Sequence, residues 1–251
     1  MIFNTLGSTG LKVSHIIDFS IALCTYSLNK GINYLETGPW YGQGTSEITI
    51  GKALVGVPRE SYYIASKVGR YEKDIERMFD FSAEKTEAGV DATLSKLGLD
   101  YVDVIQPKVG CRISAKQIIA LSSAGVGVIN AAATGMGLLC NSGPQSWHPA
   151  SEEIKNICRQ ASEYCKGQNV ELARIATWYT LKQPGVDTHL CGLYNVEQLV
   201  DTINVLDKGL TEHEKRVLDE VKTRFFNNVP LHWDNVELPE YKEALAKKNR
   251  T

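Results

Sequence analysis

Short apolar segments alternate with amphipathic helical segments along most of the sequence, and this alternation constrains the fold more than any other feature. Apolar segments rich in Ile, Val and Tyr predict β-strands at residues 32–36, 62–68, 101–106, 125–133 and 188–193. Helical spacing of apolar residues predicts helices at residues 21–30, 46–54, 82–97, 114–123, 151–165, 170–182 and 196–206. Strands that are joined through helices pair in parallel, so the pattern predicts an α/β fold.

Capping residues mark the ends of several predicted helices. Ser46 is the expected N-cap of the helix at 46–54, and Ser151, followed by two glutamates, opens the helix that follows it. Thr211 and Glu214 have the spacing of a capping box, which predicts one more helix. Gly98 has the position of a C-terminal cap for the helix at 82–97.

The alternating region is flanked by a predicted N-terminal hairpin at residues 3–13 and by a polar tail. No change of composition separates the chain into parts. We therefore expect a single domain over residues 1–251, in which residues 227–251 form a C-terminal extension with a short terminal helix. At 251 residues the chain has about the length of one (β/α)₈ barrel.

The charge balance argues against binding to nucleic acid or to an anionic membrane. The chain carries 27 Lys and Arg against 29 Asp and Glu, for a net charge of −2, and has no basic tract. Its six cysteines lack the paired spacing of a disulfide framework or a zinc site, so no metal is expected. With no apolar signal segment at the N-terminus either, we expect a cytoplasmic protein with reduced thiols.

A cluster of fixed positions near the N-terminus resembles the aldo-keto reductases. The hairpin reads LGSTGLKVS; it is followed by Gly31-Ile32-Asn33, by Glu36-Thr37, by Tyr41-Gly42, and by Ser46-Glu47 ahead of Gly51. The segment PWYGQG is most similar to the branch of aldose 1-dehydrogenases and L-galactose dehydrogenases. Later segments agree with this resemblance, notably VGVINAAATGMGLL and SWHPAS.

The resemblance implies a (β/α)₈ barrel and reversible hydride transfer between NAD or NADP and a small carbonyl or sugar substrate. The matching catalytic positions are Tyr41 as the proton donor, Lys67 as its neighbour, and Glu36 at the family's aspartate position. A carbonyl that receives hydride develops alkoxide charge, so a proton donor must lie beside its oxygen. An ammonium beside the phenol is expected to lower the pKa of Tyr41.

The resemblance also implies two segments that bind the cofactor. The loop after the strand at 125–133 is matched to the pyrophosphate, and the residues after the last strand are matched to the adenosine half. The implied cofactor-binding residues are Ala131, Met136, Gly137, Leu138, Gly192, Asn195, Gln198 and Asp201. Tyr194 is an uncharged residue where a cation would favour the 2′-phosphate, which favours NAD, but the sequence does not settle NAD against NADP. Alanines at 132 and 133 replace the branch's usual Ser and Pro, so weakened cofactor binding is expected.

Two departures from the family affect the chemistry. Glu36 is one methylene longer than the aspartate it replaces, and we expect the extra length to push its carboxylate outward. Lys108 occupies the position of a histidine that orients the substrate oxygen, and a lysine cannot replace a neutral imidazole.

A third departure affects the barrel itself. The predicted strands match the family's second, third, fourth, seventh and eighth, with residues 15–19 as a doubtful remnant of the first. Only one helix fits between residues 106 and 125, where the family has its fifth and sixth strand-helix units. The expected fold is thus an incomplete (β/α)₈ barrel with five to six of its eight strands.

Two functions remain open at this level. The chain is either an NAD(P)-dependent oxidoreductase of impaired activity or a catalytically inactive truncated remnant or splice form that acts at most as a binding protein. The missing histidine and strands favour the second, and the retention of Tyr41 and Lys67 favours the first. The sequence leaves the substrate and the oligomeric state undetermined.

Overall fold

A computed structural model describes residues 1–18, 23–72, 74, 77–107, 115–193, 195–227 and 237–248 of the chain. Its strands are β1 Phe3–Thr5, β2 Lys12–Ser14, β3 Ile16–Asp18, β4 Tyr34–Glu36, β5 Tyr63–Val68, β6 Val104–Pro107, β7 Ile129–Ala131 and β8 Thr188–Cys191. Its helices are α1 Cys24–Asn29, α2 Thr45–Ala53, α3 Ala83–Leu97, α4 Ala115–Ser123, α5 Glu152–Gly167, α6 Leu172–Leu181, α7 Val196–Lys208, α8 Glu212–Phe225 and α9 Glu237–Lys248.

Six of these strands form one parallel sheet in the order β6-β5-β4-β3-β8-β7. This order is that of six neighbouring strands of an eight-stranded barrel, and it confirms the expected incomplete (β/α)₈ barrel. The doubtful first strand is present as β3, where Asp18 is in register with Leu35 on one side and with Cys191 on the other. Within the described residues, the sheet ends at β6 and β7, which are the strands beside the two missing units.

The N-terminal hairpin covers the amino end of the sheet. In it, β1 and β2 pair antiparallel, with Asn4 opposite Val13. The turn between them contacts the loops that precede β7 and β8, because the N–H of Ser8 donates to the carbonyl of Gly125 at 2.7 Å and that of Gly7 donates to Asp187 at 3.2 Å. A Cβ at Gly7 would meet backbone of Gly127 at 2.2 Å, so this contact requires a glycine.

The helices begin and end close to the predicted positions, with one correction at α2. Ser82, Ser151 and Thr211 cap their helices through the side chain, and Thr211 forms the predicted capping box. The predicted N-cap of α2, Ser46, lies inside the helix, which starts at Thr45 after a left-handed glycine. The hydroxyl of Ser46 bonds to another side chain instead, as described below.

Side chains of the sheet alternate between an inner and an outer core. In β4, Tyr34 faces an inner cluster with residues of the hairpin, and Leu35 faces an outer cluster with α1, α2 and α3. In β5, Ala65 faces inward and Ile64 outward. Since alternate residues of a strand share a face, Glu36 and Lys67 belong to the inner face, at the carboxyl ends of their strands.

The C-terminal extension contains α9, and its Tyr241 ring makes an edge-to-face contact with Phe79 in the segment after β5, with the ring centroids 5.1 Å apart. Residues 228–236 and 249–251 of that extension lie outside the described residues. A helix of the length and apolarity that a membrane crossing requires does not occur in the described parts of the chain.

Candidate active site

The structure brings Lys67 and Glu36 together on the inner face of the sheet. The Lys67 ammonium forms an ion pair with Glu36 Oε1 and donates to the carbonyl of Thr37 at 3.2 Å. Both residues are nearly inaccessible to water, with 9% of Lys67 and 2% of Glu36 exposed. Although Glu36 is one methylene longer than aspartate, its carboxylate remains in contact with the Lys67 ammonium.

Tyr41 lies above this ion pair, in the turn that connects β4 to α2. The turn Tyr41–Gly44 contains left-handed residues, including Gln43 at φ +54°, and these reverse the chain within a few residues. The Lys67 ammonium is 4.9 Å from the centroid of the Tyr41 ring. The three predicted catalytic side chains therefore form one cluster at the carboxyl ends of β4 and β5.

The electrostatics of the cluster differ from the expectation for Tyr41. Burial and the Glu36 carboxylate raise the pKa of Tyr41 above its ordinary value, while the Arg70 guanidinium acts in the opposite direction. Burial lowers the pKa of Lys67, and Glu36 opposes that change. The expected lowering of the pKa of Tyr41 is wrong, because burial, and in smaller part the Glu36 carboxylate, disfavours the phenolate.

Arg70 is a part of the site that sequence reasoning missed. Its guanidinium lies 4.2 Å from the ring centroid of Trp40 and 5.6 Å from that of Phe79. Trp40 directly precedes Tyr41, and Phe79 contacts Tyr241 of α9, so a row of ring contacts extends from the residue beside Tyr41 to the C-terminal helix. A signal was available in the position of Arg70, three residues beyond Lys67 at the end of a strand.

Behind the cluster, the first turn of α2 carries two buried polar side chains that the sequence analysis used only as markers of the family. Ser46 shares a hydrogen bond of 2.8 Å with the hydroxyl of Thr37. Glu47 is fully buried and accepts hydrogen bonds from Ser66 at 2.9 Å and from Thr93 at 2.7 Å.

The two predicted cofactor segments lie side by side at the same end of the sheet. In the pairing of β7 with β8, Ala131 is opposite Leu190, so the loop after β7 and the segment from Gly192 begin next to each other. The loop contains Met136 and Gly137 in the left-handed region, at φ +54° and +99°. Leu138 is buried and belongs to the core beneath the loop.

His148 holds this loop in place. Its Nδ1 accepts from the backbone N–H of Ala150 at 3.1 Å, which leaves Nε2 as the protonated nitrogen that donates to the carbonyl of Gly135 at 3.1 Å. Burial lowers the pKa of His148, which favours the neutral ring that these two bonds require.

Polar side chains of the second segment are already engaged within the chain. Asn195 is the N-cap of α7 and accepts from the backbone N–H of Gln198 at 2.9 Å. Asp201 forms an ion pair with Arg174 of α6. Backbone N–H groups at a helix N-terminus are suitable donors to phosphate, and α7 begins at this segment. In the loop after β7, the N–H groups of Gly137 and Leu138 donate to carbonyls of the loop itself.

Two predicted positions lie outside the described residues, namely Lys108 at the family's histidine position and Tyr194 near the adenosine segment. A cavity of about 310 Å³ opens elsewhere in the described part of the chain, between α1 and the segment that leads into β5. Thr25, Val57 and Ser61 are among its lining residues, and it contains none of the predicted site residues.

Known proteins are similar to this chain over most of its length. The chain is 28% identical to L-galactose dehydrogenase from Arabidopsis thaliana, over 86% of this chain and 90% of the relative. It is 24% identical to D-arabinose 1-dehydrogenase from Saccharomyces cerevisiae, over 69% of this chain and 72% of the relative. The first alignment spans 294 positions, more than the 251 residues of the chain, so the relative contains positions that this chain lacks.

A solved structure shows the same fold. The holo form of the aldo-keto reductase AKR11C1 from Bacillus halodurans superposes with a TM-score of 0.67 at 20% identity, over 88% of this chain and 96% of that one. The sequence model of the Aldo/keto reductase family matches residues 14–107 and 111–223, which is most of the chain. On this match and this fold, the chain belongs to the aldo/keto reductase family of NAD(P)-dependent oxidoreductases.

Proposed function

We propose that the protein catalyses reversible hydride transfer between a nicotinamide dinucleotide and a small sugar, with Tyr41 as the group that exchanges a proton with the substrate oxygen. The observation that carries the proposal is the cluster of Tyr41, Lys67 and Glu36 at the carboxyl ends of β4 and β5. In barrel enzymes, catalytic groups lie at this end of the strands.

Each residue of the cluster has a role that follows from its geometry. The bound nicotinamide supplies or accepts the hydride. In the reductive direction Tyr41 gives its phenolic proton to the developing alkoxide, and its raised pKa keeps that proton in place until charge appears on the substrate. Lys67 presents a positive charge to the face of the phenol ring, and Glu36 and Thr37 hold the ammonium in position.

The proposed cofactor site consists of the loop after β7 and the start of α7. Ala131, Met136, Gly137 and Leu138 contribute the loop, and Gly192, Asn195, Gln198 and Asp201 contribute the second segment. We propose NAD as the preferred nucleotide, on the uncharged residue at position 194. Aldoses are the proposed substrates, because relatives over most of the chain are named for L-galactose and D-arabinose.

The experiment follows reduced nicotinamide at 340 nm with purified protein, L-galactose or D-arabinose, and NAD⁺ or NADP⁺. We expect measurable oxidation of an aldose and a loss of about a hundredfold or more in kcat for Tyr41→Phe, because general acid-base catalysis contributes this much. Tyr101→Phe is the matched control. It removes only the hydroxyl of Tyr101, keeps the ring that contacts Arg59, and should leave kcat unchanged because Tyr101 precedes β6.

A fluorescence titration with NADH and NADPH separates the two functions that the sequence leaves open. Binding of either nucleotide together with aldose oxidation supports the enzyme. If neither nucleotide binds at millimolar concentration, the proposal fails and the chain is an inactive member of its family.

A further inference from the structure

The first turn of α2, on the outer face of the sheet, carries two buried polar side chains, Ser46 and Glu47. Glu47 has no exposed surface, and its Oε1 accepts from Ser66 of β5 and from Thr93 of α3. Its Oε2 lies 3.4 Å from the ammonium of Lys96. One carboxylate thus links three elements, namely α2, β5 and α3.

The residue before it makes a second link, to the end of β4. Ser46 is buried and bonds to the hydroxyl of Thr37, whose backbone carbonyl accepts from the Lys67 ammonium. The backbone N–H of Thr37 in turn donates to the carbonyl of Ala65 at 2.9 Å, so Thr37 is fixed to β5 as well.

We propose that Ser46 and Glu47 are positioning residues for Lys67. Because side chains alternate along a strand, Ser66 presents its hydroxyl to Glu47 on the outer face while its neighbour Lys67 presents its ammonium to Glu36 on the inner face. Ser46 fixes the acceptor of that ammonium, and Glu47 fixes the backbone from which it extends. The same helix begins directly after the turn that carries Tyr41. The inference rests on the proposed function of Tyr41 and Lys67.

A purely structural role makes a different prediction. Removing one partner from a buried polar contact lowers the stability of the fold whether or not that partner also acts in catalysis. If Ser46 and Glu47 only stabilise the fold, replacing them changes the unfolding midpoint and leaves the chemistry of the folded molecule unchanged. If they position Lys67, replacing them also changes the rate and the pH dependence of the folded enzyme.

The experiment compares Glu47→Gln and Ser46→Ala with the wild-type chain in kcat, KM, the pH profile of kcat/KM and the urea unfolding midpoint. We expect kcat to fall by about ten- to a hundredfold, because displacements of about 1 Å in a catalytic group have effects of this size. KM should change little, and the pH profile should shift. Ser46→Thr keeps the hydroxyl and should restore the wild-type profile.

Val217→Ala is the stability-matched control, since Val217 is buried in the cluster between α5, α6 and α8, away from β4 and β5. It should lower the unfolding midpoint without altering kcat or the pH profile. NMR titration of the Lys67 ammonium in Glu47→Gln gives a readout that does not need turnover, and we expect its pKa to fall as the contact with Glu36 loosens.

The outcomes separate the two proposals. A wild-type chain that binds cofactor and turns over, with Glu47→Gln matching it in kcat, pH profile and Lys67 titration, overturns the positioning role and leaves the proposed function intact. A wild-type chain without activity overturns the proposed function. The Lys67 titration then still decides whether Glu47 sets the position of the ammonium.

Discussion

His189 is a buried imidazole in β8 whose two ring nitrogens have no hydrogen-bond partner among the described residues. Only 1% of its surface is exposed, and its ring meets that of His15 edge to face, with the centroids 5.0 Å apart. Burial, and in smaller part the neighbouring His15, lowers the pKa of His189 to about 4. His15 also has a lowered pKa, chiefly through burial and in smaller part through Lys182.

We predict that this histidine makes the protein sensitive to acid. The unfolded chain binds a proton at its ordinary pKa of 6.5 and the folded chain only near 4, so stability is complete above pH 6.5 and falls as the pH decreases toward 4. The shift corresponds to about 3 kcal/mol at most. The free energy of unfolding, measured with urea at several pH values between 7 and 4, tests this loss of stability.

Replacing the ring tests the assignment. His189→Leu should flatten the dependence of unfolding free energy on pH in this range. His213→Gln is the control, because His213 is exposed and bonds to the carbonyl of Gln168 at the surface, so its replacement should leave the dependence in place. An unchanged pH dependence in His189→Leu would assign the acid sensitivity to other groups.

Residue positions in the site were predictable, but their electrostatics were not. Glu36 and Lys67 lie at the carboxyl ends of two predicted strands, and both match catalytic positions of the family. Because the two strands pair in parallel, their ends were expected to lie close together. The pKa of Tyr41 depends on burial and on the charges of Glu36 and Arg70. Neither the burial nor these distances can be predicted from the local sequence. The roles of Arg70 and Glu47 were missed because their partners are 9 to 49 positions away along the chain, and such contacts form only in the folded structure.

At the scale of elements, α2 and α3 approach each other closely at Gly51. A Cβ at this position would lie 2.5 Å from the carbonyl oxygen of Leu97, a backbone atom that cannot move without shifting the end of α3. The close approach sets the distance between the helix that carries Glu47 and the helix that carries Thr93.

We predict that Gly51→Ala destabilises the protein by about 1–3 kcal/mol, the usual cost of overpacking, although alanine is the better helix former. Gly167→Ala is the matched control, because Gly167 ends α5 and a Cβ there would meet no atom within 4 Å. That change should be neutral or stabilising by up to about 1 kcal/mol. The free energy of unfolding of both variants, measured with denaturant, tests the prediction. Equal stability of the two variants would contradict a close approach of α2 and α3 at Gly51.

The N-cap of α2 was predicted at the wrong residue, because a local sequence pattern does not include tertiary contacts. Ser46 is a good capping residue by type, yet Gly44 at φ +88° takes the position before the helix. The hydroxyl of Ser46 is satisfied by Thr37, nine residues earlier, so its local preference was overridden by a tertiary contact. Ser151 and Thr211 have no such competing partner in the described structure, and their caps were predicted correctly. The cap that Ser82 provides for α3 was not predicted.

For the whole molecule, the strand order was predictable once the family was identified, because each parallel strand joins its neighbour through a right-handed crossover. The first strand remained doubtful because β3 has only three residues, Ile16 to Asp18, which is too short for an alternating pattern. Its existence follows from its position between β4 and β8, which supply partners on both sides. Tertiary pairing thus completes what the local sequence specifies weakly.

The missing units leave β6 and β7 with one described neighbour each, β5 and β8. Ile105 on β6 is 38% exposed, although isoleucine in a parallel strand is usually covered on both faces. Strands at an open edge carry unpaired backbone groups and open more readily than central strands. We therefore predict a gradient of stability across the sheet, highest at β4 and β5 and lowest at its two edges.

Hydrogen exchange measured by mass spectrometry tests this gradient. Amides of β6 and β7 should exchange about a hundredfold faster than those of β4 and β5, which have partners on both sides. The central strands serve as the internal control. Equal protection of edge and centre would contradict the open edge, and repeating the measurement at two protein concentrations would show whether a second copy provides that protection. Protection independent of concentration would instead require that the chain itself closes the gap.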